Sequence, residues 1–204
     1  MTSSYKMAAK QTELHAPIGR DGEGLYTAST KGCFDVIDAA TPAVLAQVQK
    51  AALTTGPFVI ADFGTADAGT SLGLMCQVID KMREKESGKE VSIMYEDQLQ
   101  NEWKSVFNHA FGNISVADAY GKALSHPTSK PGVFVQACGR GFHEQCYPSG
   151  TVDLAMSFTA MHWLSVTPGS LVGNADCMHA AQCKAGEAAA EQAQVTGQRN
   201  DYES

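Results

Sequence analysis

The sequence has few charged residues, little positive charge and no long apolar run, and each absence excludes a class of protein. Only 18% of its 204 residues are charged, and 22 acidic residues outnumber 15 basic ones, which gives a net charge of −7. This balance argues against a protein that coats nucleic acid or binds membranes through a basic patch. No apolar run approaches the ~20 residues of a membrane-spanning helix, and the first residues lack the apolar core of a secretory signal.

Cysteine motifs are also absent, because no two of the six cysteines form a C-x-x-C pair. The six are Cys33, Cys76, Cys138, Cys146, Cys177 and Cys183. Without a signal peptide we expect reduced thiols and a cytoplasmic location. The C-x-H-x-x-x-C spacing from Cys177 to Cys183 has no clear fourth ligand, so we predict no metal site. The sequence alone identifies no interaction for His109, His126 or His143, and we expect them at the surface or at edges.

Apolar residues make up 44% of the chain, enough for a folded core and one domain. Four short apolar segments are predicted strands: 57–64, 91–97, 132–139 and 152–158. Three segments have helical spacing: one that begins at an N-cap and N1 pair, Thr41 and Pro42, and two over 70–87 and 99–111. This alternation predicts an α/β fold with a doubly wound, mostly parallel sheet.

The carboxyl ends of parallel strands are where ligands bind in such sheets. The first predicted strand ends in Asp62-Phe63-Gly64 and is followed by small residues, which allow close approach to the backbone. The second ends in Glu96-Asp97, where an acid usually accepts hydrogen bonds from ribose hydroxyls. The third leads into Gly141 and Phe142, which are able to flank a purine ring. Together these ends indicate an adenosine-containing ligand.

Each of these features also has an ordinary structural interpretation. Asp62 suits a turn, Glu96-Asp97 suits the start of a helix, and Phe142 suits a core. A kinase is excluded because no H-R-D or V-A-I-K segment precedes Asp-Phe-Gly. The loop after the first strand reads G-T-A-D-A-G rather than G-x-G-x-x-G. S-adenosylmethionine (SAM) is therefore favoured, and an NAD(P)-binding oxidoreductase is the alternative.

The most specific sequence signal is the segment 139–168, GRGFHEQCYPSGTVDLAMSFTAMHWLSVTP. It resembles the SABATH methyltransferases, the salicylate, jasmonate and related carboxyl methyltransferases. Their pattern here is approximately G-S-F-Y-x-R-L-F-P, followed by S-x-x-S-L-H-W-L-S-x-x-P. Blocks at 21–30, 61–64 and 96–107 resemble other family motifs in the same order. The resemblance covers about residues 15–204.

The resemblance implies a Rossmann-like class I methyltransferase sheet with SAM as the cofactor. The implied cofactor-binding residues are Tyr26, Thr30, Asp62, Gly64, Asp97, Gln98, Gly141 and Phe142. The implied substrate-binding residues are Trp163, His162 and Cys33. A carboxylate is already ionised at neutral pH, so the enzyme needs no general base, and we predict residues that position the reactants and none that transfer a proton.

Three positions depart from the family pattern: Cys33 replaces a glutamine, Ala68 replaces a glycine and Gly141 replaces a serine. The expected activity is the formation of methyl esters of a small carboxylic acid, and the alternatives are a nitrogen acceptor or a non-catalytic homologue. No nucleic acid or membrane partner is expected, and a homodimer is left open. The family sheet has seven strands, so residues 1–204 are expected to form one cofactor-binding domain that is truncated after about the fourth strand.

Overall fold

The computed structural model describes residues 22–118 and 121–161 of the chain. The helices are α1 (Leu25–Ser29), α2 (Lys31–Lys50), α3 (Leu72–Lys85) and α4 (Trp103–Ala110). The strands are β1 (Phe58–Phe63), β2 (Val91–Asp97), β3 (Val133–Gly139) and β4 (Leu154–Ser157). A short 3₁₀ turn over Pro127–Ser129 precedes β3.

The four strands form one parallel sheet in the order β3-β2-β1-β4. The chain moves outward from β1 through β2 to β3 and then crosses back, so β4 lies on the other side of β1. The strand order therefore reverses between β1 and β4. This arrangement confirms the predicted parallel α/β sheet and places the carboxyl ends of all four strands along one edge.

The core lies between α3 and the two central strands. Ile60 of β1 and Ile93 of β2 are fully buried, as is Met75 of α3. Both central strands read as continuous apolar runs because helices and loops cover a sheet interior of this kind on both faces. The outer strand β3 is less covered, and the side chain of Phe134 is 51% exposed.

The predicted start of the first long helix at Thr41 and Pro42 is wrong. Helix α2 begins ten residues earlier, at Lys31, and passes through Pro42. Instead of capping a helix, the Thr41 hydroxyl donates to the carbonyl oxygen of Ile37 at 2.9 Å, within the helix. Since Pro42 is exposed, water can solvate the carbonyl group that its missing N–H leaves without a partner. The short helix α1 was not predicted at all.

The carboxyl end of α2 is held by a lysine from α3. The Lys85 Nζ atom donates to the carbonyl oxygens of Val48, at 3.1 Å, and Ala51. A cation at this end of a helix satisfies carbonyl groups that have no partner within the helix. This contact joins the carboxyl end of α2 to α3. In the described part of the chain, no helix has the length and apolarity to cross a bilayer.

Candidate functional site

The loop between β1 and α3 is held in shape by Asp62. This carboxylate is buried and accepts hydrogen bonds from the hydroxyls of Thr65, at 3.1 Å, and Ser71, at 2.9 Å. Burial raises the pKa of Asp62 to about 6, although these two hydrogen bonds oppose the shift. Gly64 and Ala68 both have a positive φ, 69° and 64°. The loop therefore forms with alanine at position 68, where the family pattern has glycine.

The carboxyl end of β2 is tied to the same loop. The Asp97 carboxylate accepts from the backbone N–H groups of Ala66 and Gln98, each at 2.8 Å. The side-chain amide of Asn101 donates to the carbonyl oxygen of Ala66 at 2.6 Å. Asp97 and Gln98 are half-buried, so both remain within reach of a ligand. The sequence did not single out Asn101, which completes this link.

Glu96 binds the same loop through both its backbone and its side chain. Its carbonyl oxygen accepts from the N–H groups of Gly64 and Thr65, each at 3.0 Å, and its Oε2 atom accepts from Gly64 at 3.1 Å. The residue is completely buried, and its Oε1 atom has no hydrogen-bond partner. Burial raises the pKa of Glu96 to about 8; the Gly64 hydrogen bond lowers it, and the charges of Asp97 and Asp62 add to the rise.

The raised pKa of Glu96 makes the stability of the fold depend on pH. The folded protein holds this proton more tightly than the unfolded chain, whose glutamate pKa is about 4.3, so stability falls as pH rises from about 4.3 towards 8. Between pH 5 and pH 8 we expect the wild type to lose about 3.5 kcal/mol more than Glu96→Gln, which cannot ionise. Urea unfolding at both pH values measures the free energy of unfolding of the two proteins, and equal losses in both would contradict the prediction.

The segment after β3 contributes the predicted aromatic residue. Phe142 is half-buried, and a Cβ atom built on Gly64 would lie 3.7 Å from its ring. A Cβ atom built on Gly141 would meet nothing within 4 Å, so there is open space beside this backbone. The structure thus brings Phe142 to the β1 loop and leaves room at Gly141.

Residues from α1 and α2 meet the carboxyl end of β4. The Tyr26 hydroxyl lies 3.6 Å from the Cys33 Sγ atom, which lies 3.6 Å from the Thr159 hydroxyl. Burial, followed by the neighbouring Cys33, raises the pKa of Tyr26 to about 12. The Thr30 hydroxyl donates to the carbonyl oxygen of Tyr26 at 2.7 Å. Thr159 was not singled out from the sequence, and it has a positive φ of 59°.

Asp67 anchors α1 to the loop and was also missed. Its carboxylate accepts from the backbone N–H of Thr27 at 2.9 Å, from the Thr27 hydroxyl, and from the N–H of Gly69 at 3.2 Å. The His109 Nδ1 atom lies 2.7 Å from the carbonyl oxygen of Asp67. His109 is completely buried, so the prediction that it lies at the surface is wrong. It lies on the face of α4 that contacts the loop.

A cavity of about 360 Å³ opens beside α1 on the side of His109. Its walls include Phe34, Ile114 and Val116, and none of the predicted cofactor or substrate residues lines it. Within residues 22–118 and 121–161, no three His, Cys, Asp or Glu side chains come together as a metal site requires. The segment from Cys177 to Cys183 lies outside the described residues, as do His162 and Trp163.

Comparisons with known proteins give a family match and a structural match. A sequence model of the SAM dependent carboxyl methyltransferases matches residues 13–196. No curated protein matches the chain. A solved structure of a loganic acid methyltransferase with SAH is similar, with a TM-score of 0.57 and 22% sequence identity. The match covers 75% of this chain and 42% of that chain, so this chain spans less than half of that protein's length.

Proposed function

The chain belongs to the SAM dependent carboxyl methyltransferases, and we propose that the protein transfers the methyl group of SAM to the carboxylate of a small organic acid. The observation that carries this proposal is the hydrogen-bonded link between the β1 loop and the end of β2. Asp97 binds the backbone of Ala66 while remaining half-exposed. One acid thereby shapes the loop and faces the place where a nucleoside ligand binds in such sheets.

The residues along this edge fit SAM. Asp97 offers a carboxylate for the ribose hydroxyls, with Gln98 beside it. Phe142 offers a half-buried ring for the adenine, and the open space at Gly141 accommodates a flat group. Asp62 holds the loop at the methionine end, near Gly64. When bound, SAM supplies an electrophilic methyl group on a positively charged sulfur.

The chain's own residues position the reactants. Because the acceptor carboxylate is ionised at neutral pH, we assign no residue to proton transfer. Tyr26 and Thr30 lie on the cofactor side, and Cys33 joins them to the end of β4. His162 and Trp163 follow that end by a few residues, and we propose that they bind the substrate carboxylate. Alignment of the reacting atoms and exclusion of water supply the rate enhancement.

Calorimetric titration with SAM, S-adenosylhomocysteine (SAH) and NADH tests the cofactor. We expect SAM and SAH to bind and NADH not to bind. Asp97→Ala should weaken SAH binding by about tenfold, the loss of one charge-assisted hydrogen bond and of the loop that it shapes. Asp80→Ala, which removes an exposed acid paired with Lys130, is the matched control and should bind normally. Binding of NADH alone by the folded protein would overturn the proposal.

The identity of the acid is a separate part of the proposal. Loganic acid is the substrate named for the similar structure, and 22% identity over part of that chain relates the two in fold. We propose a small carboxylic acid without further identification. A methyl-donor assay against aromatic, isoprenoid and fatty acids, with a purine as the nitrogen acceptor, distinguishes the classes. A single domain over residues 1–204, a cytoplasmic location and a homodimer stay predictions.

A further inference from the structure

Glu96 is a carboxyl group at the candidate site with one oxygen that is bound and one that is buried without a hydrogen-bond partner. Its Oε2 atom supports the loop at Gly64, but Oε1 is buried and has no hydrogen-bond partner. A buried polar atom without a partner costs free energy, so its presence beside a ligand site calls for a functional explanation. The family motif that the block 96–107 resembles begins with asparagine and aspartate, and this chain has Glu96 and Asp97 there, so it carries an additional acid.

The groups that face Glu96 from the neighbouring elements are acidic or uncharged. Asp62 at the end of β1 and Asp97 at the end of β2 are the charges that act on it. The segment between β3 and β4 brings Cys146 and Tyr147 close enough for the charge of Glu96 to raise the pKa of each.

Those two groups stay neutral near pH 7. Burial is the main cause of both shifts, and it raises the pKa of Cys146 to about 12. Arg140, in the same segment, acts on Cys146 and forms a salt bridge with Glu144 at 2.8 Å. A negative charge on Glu96 therefore has no described cation that compensates it directly.

SAM and its product differ in charge at the reacting atom. The sulfur of SAM is a sulfonium cation, and the sulfur of SAH is neutral. A carboxyl group beside the loop that holds this part of the ligand responds to the difference, because a nearby positive charge favours the ionised form of an acid. A glutamate that is mostly protonated near neutral pH is able to release a proton in response, whereas one that is already fully charged is not.

Resting on the proposed function, we propose that Glu96 determines the specificity of the site for the charged cofactor: its carboxyl group releases a proton when SAM binds and keeps it when SAH binds. The proton passes to the solvent. Because the ionised form favours the sulfonium, the preference of the site for SAM over SAH increases as pH rises. Bound SAH is therefore replaced by SAM more readily at higher pH.

Calorimetry of the full chain with SAM and with SAH, from pH 6 to pH 9, tests this inference. The α-amino group of each ligand titrates in the same range. The SAM-to-SAH affinity ratio of the wild type is therefore compared with that of Glu96→Gln at each pH. In the wild type we expect the SAM-to-SAH affinity ratio to rise roughly three- to tenfold more than in the variant, the usual effect of one charge across a partly solvated site. Titration in buffers of different ionisation enthalpy should show proton release on SAM binding that the variant lacks.

The outcomes separate this inference from the proposed function. Asp80→Asn, the same change at an exposed acid, should behave like the wild type. If both ligands bind and the ratio follows the same pH profile in the wild type and in Glu96→Gln, the inference is wrong and the cofactor assignment stands. If neither ligand binds to the folded chain, both are wrong. If Glu96→Gln does not fold, carboxyl ¹³C NMR of the wild type decides: the Glu96 pKa must fall with SAM and not with SAH.

Discussion

Replacing Asp67 by alanine is expected to lower the free energy of unfolding by about 3 kcal/mol, because it leaves buried donors without their charged acceptor. The carboxylate is 2% exposed and holds both the backbone N–H and the hydroxyl of Thr27. It is the contact that joins α1 to the β1 loop across forty residues of sequence. Urea unfolding measures the loss of stability, and SAH titration should show weaker binding, because Tyr26 and Thr30 lie on the released segment.

Two further variants make the Asp67 result specific. Asp67→Asn keeps one acceptor oxygen and should cost about half as much. Asp80→Ala removes an acid of the same type from the surface, where its pair with Lys130 contributes about 0–1 kcal/mol. Equal losses for Asp67→Ala and Asp80→Ala would show that Asp67 does not anchor α1.

Gly64→Ala is expected to destabilise the fold by about 3 kcal/mol, from the strain of a left-handed backbone and from overpacking. The φ angle of Gly64 is 69°, and a methyl group there would overlap the side chain of Ala160. To relieve this overlap, the loop must shift away from Ala160. We therefore expect SAH binding to fall below detection in calorimetry, even at a temperature where the variant stays folded.

Gly88→Ala separates the two causes. Gly88 has a similar φ of 76°, but a Cβ atom there would meet nothing within 4 Å. This variant carries the backbone strain alone, about 1 kcal/mol, and should bind SAH normally. If Gly64→Ala loses no more stability than Gly88→Ala, the close approach of Ala160 is not a constraint on the loop.

The strands and α3 are predictable from the sequence because their signals are local. Buried parallel strands are continuous apolar runs, and α3 carries the stripe that includes Leu72 and Met75 with Gly88 beyond its end. The start of α2 is not predictable in this way. Most of its residues are exposed, so its apolar positions are widely spaced. Thr41 and Pro42 have the sequence pattern of a helix start, but in the structure they lie within a continuous helix.

The site is predictable only where its residues belong to motifs at strand ends. Asp62 is the last residue but one of β1 and Asp97 is the last of β2, and because these neighbouring strands are parallel, both residues lie at the same edge of the sheet. Asp67 and His109 have no such signal, and the signal at the end of β2 does not distinguish the buried Glu96 from Asp97. Asp67 lies in a loop of small residues, His109 is a single histidine on α4, and Glu96 resembles any acid before a turn. Their importance comes from partners distant in sequence, which only the folded chain reveals.

The tether between Thr27 and Asp67 has a consequence for how this region opens. Helix α1 and the β1 loop share buried hydrogen bonds, so one cannot unfold locally without exposing the donors or acceptors of the other. The two segments therefore behave as a single cooperative unit. A ligand that stabilises the loop slows the opening of α1. The rate of hydrogen exchange at the Thr27 amide therefore shows whether a ligand is bound at the strand ends.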